Sequence, residues 1–214
     1  MGRLAVVLAA VGLLLAGCGG GKHTAATTNA NGCVTVSAPA GHSRSAPKPA
    51  TKLDAKLTYE VTIATNCGSF TIRLEPAMAP NATASFASLV KRGFYDGTVF
   101  HRIVPGFVIQ GGDPTGSGTG GPGYTTVDPP PASAKYTHGV VAMAKTSIQA
   151  PGTAGSQFFV VTAANAGLTP DYAIVGTVVQ GLAVVDRIGK LGEPNGAPTA
   201  TVELEHATLR TSGG

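Results

Sequence analysis

From Leu57 onward apolar and polar residues alternate with a period of two: Leu57, Tyr59, Val61 and Ile63, then Phe70, Ile72 and Leu74 beyond the turn-prone Asn66-Cys67-Gly68. Residues i and i+2 share one face of a strand, so this spacing predicts two antiparallel strands with a buried face. Apolar runs at 98–104, 107–112, 138–144, 157–162, 172–179 and 201–209, mostly bounded by Gly, Pro, Asp or Thr, bring the total to about eight strands. Helical periodicity is confined to two places. One helix opens at Pro80, carries Phe86, Leu89 and Val90 on one face, and stops at Gly93 after Lys91 and Arg92; the other spans Leu182 to Lys190, with Val184, Val185 and Ile188 together. Residues 114–131, loaded with Gly and Pro, read as loop. These elements predict a mainly β fold, a closed eight-stranded antiparallel barrel capped by two α-helices, because closure leaves no exposed sheet edge.

The first 54 residues differ in kind. Arg3 precedes an apolar run from Leu4 to Leu15, and Leu15-Ala16-Gly17-Cys18 places small residues before a cysteine. The run is too short for a helix spanning a ~30 Å hydrocarbon core, so it reads as a lipoprotein signal peptide over 1–17 with Cys18 as the lipid anchor. That predicts a bacterial cell-membrane protein, lipid-anchored on the extracytoplasmic face, with the membrane as one partner. Residues 18–54 are rich in Gly, Ala, Thr, Ser and Pro and hold few large apolar side chains, the composition of a flexible tether; the folded domain is expected over 55–212.

The formal charge of +4 lies in this leading part, where Arg3, Lys22, Arg44, Lys48 and Lys52 face Asp54 alone. From residue 55 on, ten basic and ten acidic residues balance, so the domain has no electrostatic footprint for nucleic acid. With Cys18 assigned to lipid, Cys33 and Cys67 remain as a candidate disulfide, two free thiols being the alternative. No metal is expected, since histidines and cysteines do not fall at ligand spacing, and no cofactor is implied. A self-closed barrel without heptads makes a monomer the default.

Two stretches stand out from a generic barrel. The first is Phe100-His101-Arg102-Ile103-Val104-Pro105-Gly106-Phe107-Val108-Ile109-Gln110-Gly111-Gly112-Asp113, and the second is Gly155-Ser156-Gln157-Phe158-Phe159. Together with Gly93-Phe94-Tyr95-Asp96-Gly97-Thr98 and Met143-Ala144, they closely resemble the signature segments of the cyclophilin family. The resemblance runs from about Leu57 to Leu209, and the fold it implies, an eight-stranded barrel with two helices, agrees with the count made from periodicity.

The resemblance implies a peptidyl-prolyl cis/trans isomerase acting on Pro-containing unfolded or extended polypeptides, here during the folding of exported proteins. It implies Arg102 as the catalytic residue. It further implies an apolar slot for the proline ring lined by Phe107, Val108 and Phe159 with Leu168 and Tyr172 nearby, and a grip on the substrate main chain by Gln110 and the backbone at Ala144 and Lys145. Phe100 and Phe158 are assigned to the core. Isomerisation transfers no proton, so His101 and His138 read as structural, and Asp113, after two glycines, reads as a turn former. The alternative function is a non-catalytic tethered module that binds Pro-containing segments of envelope proteins; an intact Arg102 beside an apolar slot favours the enzyme.

Three positions depart from the family pattern. Tyr172 stands where many members have His, Lys145 stands in place of Asn, and the chain contains no tryptophan, so Gly167 or Leu168 fills a rim position that many members give to Trp. In those members the tryptophan contributes to binding cyclosporin. Weaker inhibition by the drug than in tryptophan-bearing members, with isomerase activity retained, is therefore the expected result of an inhibition titration.

Overall fold

The computed structural model describes Gly2 and residues 27–213. The expected signal peptide and the Cys18 anchor lie outside the described residues. Nine strands form one curled antiparallel sheet. β1 (Leu57–Thr65) and β2 (Gly68–Leu74) are the hairpin expected from the alternation, with Val61 opposite Ile72 and Ile63 opposite Phe70, all four inward and almost fully buried. β2 continues to β10 (Ile174–Gln180), then β7 (Val140–Met143), β9 (Phe158–Val161), β5 (Val108–Gly111) and β4 (Arg102–Val104). On the other side of β1 lie β11 (Glu203–Gly213) and the two-residue β3 (Thr98–Val99).

The expectation of eight strands in a closed barrel needs correcting in count and closure. The run 98–104 breaks at Phe100-His101 into β3 and β4, which sit at opposite ends of the strand order. Phe100 turns its ring into the core and donates its N–H to Val202 O, so no ladder joins β3 to β4; an isolated bridge from Val99 to Asp113 spans the seam. A separate two-stranded ladder pairs β6 (Thr126–Val127), inside the expected loop 114–131, with β8 (Thr153–Ala154).

Helix α1 (Pro80–Lys91) buries Phe86, Leu89 and Val90 against this sheet, and α2 (Leu182–Ile188) buries Val185 and Ile188. The Phe86 ring meets Tyr95 at 5.2 Å and Phe158 at 5.4 Å between centroids, and Phe158 meets Phe100 edge-on at 6.1 Å, an aromatic centre typical of tilted and T-shaped packing. The start of α1 has no side-chain cap of its own. The buried Asp128 carboxylate, just past β6, supplies one from 46 residues away. It accepts the Ala82 N–H at 2.6 Å, the Asn81 N–H at 2.9 Å and the Asn81 side-chain amide at 2.7 Å. An anion at a helix N-terminus satisfies orphan donors and complements the dipole.

Residues 27–54, part of the expected flexible tether, lie along the domain instead. A bridge between Thr28 and Val34 closes a turn, Val34 N–H donates to Asn66 O at 2.7 Å, and a disulfide joins Cys33 to Cys67. Further along, Arg44 donates from Nη1 to the carbonyls of Phe94 at 2.7 Å and Asp96 at 2.9 Å. Composition pointed to a tether because little apolar surface is available for burial. The attachment uses backbone hydrogen bonds, one guanidinium and one covalent link, with only Cys33, Ala46 and Leu53 joining the core.

Removing the borrowed cap by Asp128→Ala should destabilise the fold by about 2 kcal/mol, read as a lowered urea midpoint with an unchanged m-value. Asp128→Asn, which keeps an acceptor but no charge, should lose less.

Candidate active site

Four adjacent strands, β10, β7, β9 and β5, are buried on both faces, and alternate residues serve two different clusters. Ile109, Val141, Met143, Phe158, Val160 and Val175 face the barrel core. Their neighbours Val108, Ala142, Phe159, Val161 and Ile174 face outward and form a second cluster with Ala134 and Tyr136. Phe158 and Phe159 are consecutive and therefore point to opposite faces. The second cluster is only partly covered: Phe107, Ala144, Leu168 and Tyr172 pack on it while half-exposed. Phe159 meets Tyr172 edge-on at 5.4 Å, and Tyr136 sits under both rings. The Tyr136 hydroxyl donates to Tyr172 O at 2.8 Å and accepts the Tyr172 N–H at 3.0 Å, which fixes that rim of the slot.

Beside the slot, β4 presents Arg102 across from Gln110 on β5, and β5 presents Gln110 across from Phe159 on β9. The guanidinium carbon of Arg102 lies 5.9 Å from the Phe107 ring centroid. The side chains of Arg102, Gln110 and Gln157 form a directional relay. Both amide hydrogens of Gln157 are engaged, donating from Nε2 to Gly118 O at 2.9 Å and Gly120 O at 3.0 Å. Its Oε1 is left as an acceptor, which takes Gln110 Nε2 at 3.1 Å, and Gln110 Oε1 in turn lies 3.5 Å from Arg102 Nη1. Because an amide has one donating and one accepting end, the carbonyls at one end of this chain decide which atom of Gln110 meets Arg102.

Asp113 holds the loop that provides those carbonyls. Its carboxylate accepts the N–H groups of Thr115 at 2.7 Å, Gly118 at 2.6 Å and Gly120 at 3.0 Å, and the Thr115 hydroxyl at 2.8 Å. Burial would raise this carboxyl, but the donors outweigh it and hold it below the usual carboxylate range. Gly120 must be glycine, since a Cβ there would stand 2.1 Å from Asp113 Oδ1.

A cavity of about 680 Å³ lies between this loop and the segment after β7, with Gln110, Tyr124, Ala144, Lys145, Gln149 and Gln157 among its lining. Lys145 Nζ donates to Gln149 O at 3.1 Å and lies 5.5 Å from the Tyr172 ring centroid, linking this cavity to the slot. The Ala144 N–H is already taken by Gln157 O at 2.9 Å, so of its two backbone groups only the carbonyl remains for a ligand. Gly167, at φ +64°, adds no side chain to the rim, and Leu168 fills it.

The residues singled out in sequence thus gather in one place, except Cys18, which is not among the described residues, and the Cys33–Cys67 pair, which ties the leading segment to the β1–β2 turn. Gln157 was present in the second signature stretch, yet only the fold shows it as the joint between the loop and Gln110. Tyr136 had no sequence signal, because its hydroxyl finds its partner 36 residues away. His138 is occupied with Asp186 at 2.6 Å.

The sequence model of the family described as cyclophilin type peptidyl-prolyl cis-trans isomerase/CLD matches residues 60–209. The chain belongs to the cyclophilin-type peptidyl-prolyl cis-trans isomerases. It is 41% identical over 153 residues to a peptidyl-prolyl cis-trans isomerase-like 1 of Aspergillus oryzae, covering 70% of this chain and 92% of that one. The Bos taurus protein of the same name is 42% identical over 133 residues, 60% of this chain and 78% of that one. A Cryptosporidium parvum cyclophilin solved in the presence of the dipeptide Ala-Pro superposes with a TM-score of 0.65 at 31% identity, covering 71% of this chain and 98% of that one. The chain is accordingly an enzyme, a cyclophilin-type peptidyl-prolyl cis-trans isomerase.

These relatives correct the expected location. They are isomerase-like proteins of eukaryotes, so the bacterial, lipid-anchored, extracytoplasmic placement read from residues 1–18 is not supported, nor is the membrane as a partner. A short apolar run before a cysteine is little information, and it lies outside the stretch that carries the family. Among the described residues no helix is long and apolar enough to cross a membrane.

His101, next to Arg102, has both ring nitrogens buried without a hydrogen-bond partner. Burial, reinforced by Arg102 and only partly opposed by the Asp113 carboxylate and by the polar groups of Gln157 and the Val99 backbone, lowers its pKa from the ordinary value. The folded state therefore favours the neutral ring, and below the unfolded value of about 6.5 the unfolded chain binds more protons. Stability from this residue is present in full above that pH and is lost as pH falls toward the lowered folded value. Urea midpoints at pH 7.5 and 5.5 should show a drop that shrinks in His101→Gln; an equal drop in both proteins would remove His101 as its source.

Proposed function

We propose that Arg102 is the catalytic residue of this isomerase and that the apolar cluster beside it holds the proline ring of an extended polypeptide while the preceding bond rotates. The observation that carries the reading is the Arg102 guanidinium standing at the edge of the Phe107–Phe159 cluster with an oriented acceptor, Gln110 Oε1, behind it. Amide resonance sets a rotation barrier of ~18–20 kcal/mol, so an X-Pro bond turns over only in tens to hundreds of seconds unaided. Twisting localises the lone pair on the prolyl nitrogen. A permanently charged guanidinium can donate to that nitrogen, or to a nearby carbonyl oxygen, more strongly in the twisted state than in either planar state. Stabilising that state by about 5 kcal/mol corresponds to nearly four decades of rate. No covalent bond breaks and no proton is transferred, so a neutral, structural His101 is compatible with the reaction.

The slot residues Phe107, Val108, Phe159, Leu168 and Tyr172 supply apolar contact for the ring. Gln110, the Ala144 carbonyl and the Lys145 backbone hold the main chain beside it. The Ala-Pro dipeptide used with the Cryptosporidium protein supports a Pro-containing peptide as the ligand class. Folding of exported proteins is the setting that the Cys33–Cys67 bridge supports, because structural disulfides persist where such chains fold.

A coupled isomerase assay on a Pro-containing tetrapeptide tests the reading. Arg102→Ala should lower kcat/KM by about 10²–10³-fold at unchanged thermal midpoint, the scale of losing one preorganised donor. Activity within twofold of the parent, with peptide binding retained, would remove Arg102 from catalysis.

A further inference from the structure

The segment 41–48 precedes the family match, which begins at residue 60, yet it makes specific contacts with the loop that sets the relay. Its backbone runs along loop 113–125. The His42 N–H donates to Pro114 O at 3.0 Å, the Ala46 N–H to Pro122 O at 3.0 Å, and Lys48 Nζ to Thr125 O at 3.0 Å. Gly41 lies so close that a Cβ on it would stand 2.1 Å from Thr115 O. Three attachments at residues 114, 122 and 125 bracket Gly118 and Gly120, whose carbonyls orient Gln157.

The segment is itself fixed within this stretch and upstream of it. Arg44 bridges the carbonyls of Phe94 and Asp96, on the turn between α1 and β3, and its Nε donates to His42 Nε2 at 3.1 Å. Upstream, the Cys33–Cys67 disulfide and the paired Val34 and Asn66 tie the chain to the β1–β2 turn. A glycine-rich loop has high backbone freedom of its own. Asp113 holds it by its N–H groups, and the segment holds it by its carbonyls.

We infer that residues 41–48 are a positioning strap for the active site: by bracing loop 113–125 they orient Gln157, and through Gln110 the Arg102 guanidinium. The functional part of this inference rests on the catalytic role proposed for Arg102. The apolar cluster of the proline slot includes no residue of the strap, and of the groups that hold the substrate main chain only Gln110 lies in the relay, so a loosened strap lowers kcat by more than it raises KM. Of the relay only the Gln157 to Gly118 and Gly120 bonds depend on the loop, so the first structural sign is in the Gln157 side-chain amide.

The test uses the full chain with Arg44→Ala and Gly41→Ala, and reads two signals. In a nitrogen–proton correlation spectrum the side-chain amide resonances of Gln157 and Gln110 should move in both variants, while in a carbon–proton spectrum core methyl groups such as those of Ile63 and Val175 stay in place. Exchange kinetics on a Pro-containing peptide should show kcat lowered by about tenfold, the cost of one misdirected hydrogen bond, with KM raised by a smaller factor through Gln110. Arg44→Lys keeps a charged donor for the two carbonyls but loses the Nε–H bond to His42, and should fall between; it is read in the same way if Arg44→Ala folds incompletely. Unmoved glutamine resonances in folded variants overturn the strap. Moved resonances with kcat unchanged, in a protein whose Arg102→Ala form is inactive, overturn its coupling to catalysis. Should Arg102→Ala be active, the catalytic proposal fails on its own, and the glutamine resonances alone decide whether the strap positions the relay.

Discussion

The whole arrangement depends on a sheet whose two faces are both put to use. In β9 all four residues are buried, two toward the barrel core and two toward the outer cluster, so the strand carries a hydrophobic run rather than an alternation. Burying Phe158 inside gives the aromatic centre that α1 packs against, and the backbone then has no choice but to turn Phe159 outward. The register of β5 against β9 sets Gln110 beside Phe159, and that of β4 against β5 sets Arg102 beside Gln110. A slip of one residue in either ladder would exchange core for site at every position.

Upon this apolar frame sits a polar chain in which direction matters as much as distance. Asp113 can only accept, so it gathers N–H groups and leaves the loop carbonyls turned toward Gln157. Gln157 must then present its oxygen to Gln110, which presents its own oxygen to Arg102. The same logic appears at α1, where Asp128 serves a helix start that its own sequence leaves uncapped. Both carboxylates are buried and make several hydrogen bonds, the condition under which a buried charge is tolerable.

Much of the fold was legible because periodicity is local. The hairpin of β1 and β2 and the buried face of α1 follow from spacing alone, and the opposite fates of Phe158 and Phe159 from strand parity once the family motif gives Phe159 to the slot. The two short strands around Phe100-His101 were not legible, since one apolar run offers no mark where it changes partner. Nor was the attachment of residues 27–54, where hydrogen bonds and a disulfide replace the apolar burial by which composition judges order. The apparent anchor at Cys18 shows the converse: a short pattern carried a specific localisation that relatives across the folded region do not support.

By itself the sequence determined the fold class and most of the residues that meet at the site, because strand parity and two signature motifs are properties of neighbours along the chain. Only the tertiary structure decided how those residues are oriented. The donors and acceptors that orient Gln157, Tyr172 and the start of α1 come from 36 to 47 residues away. A hydrogen bond has a direction and a length of about 3 Å, which only a folded backbone can set.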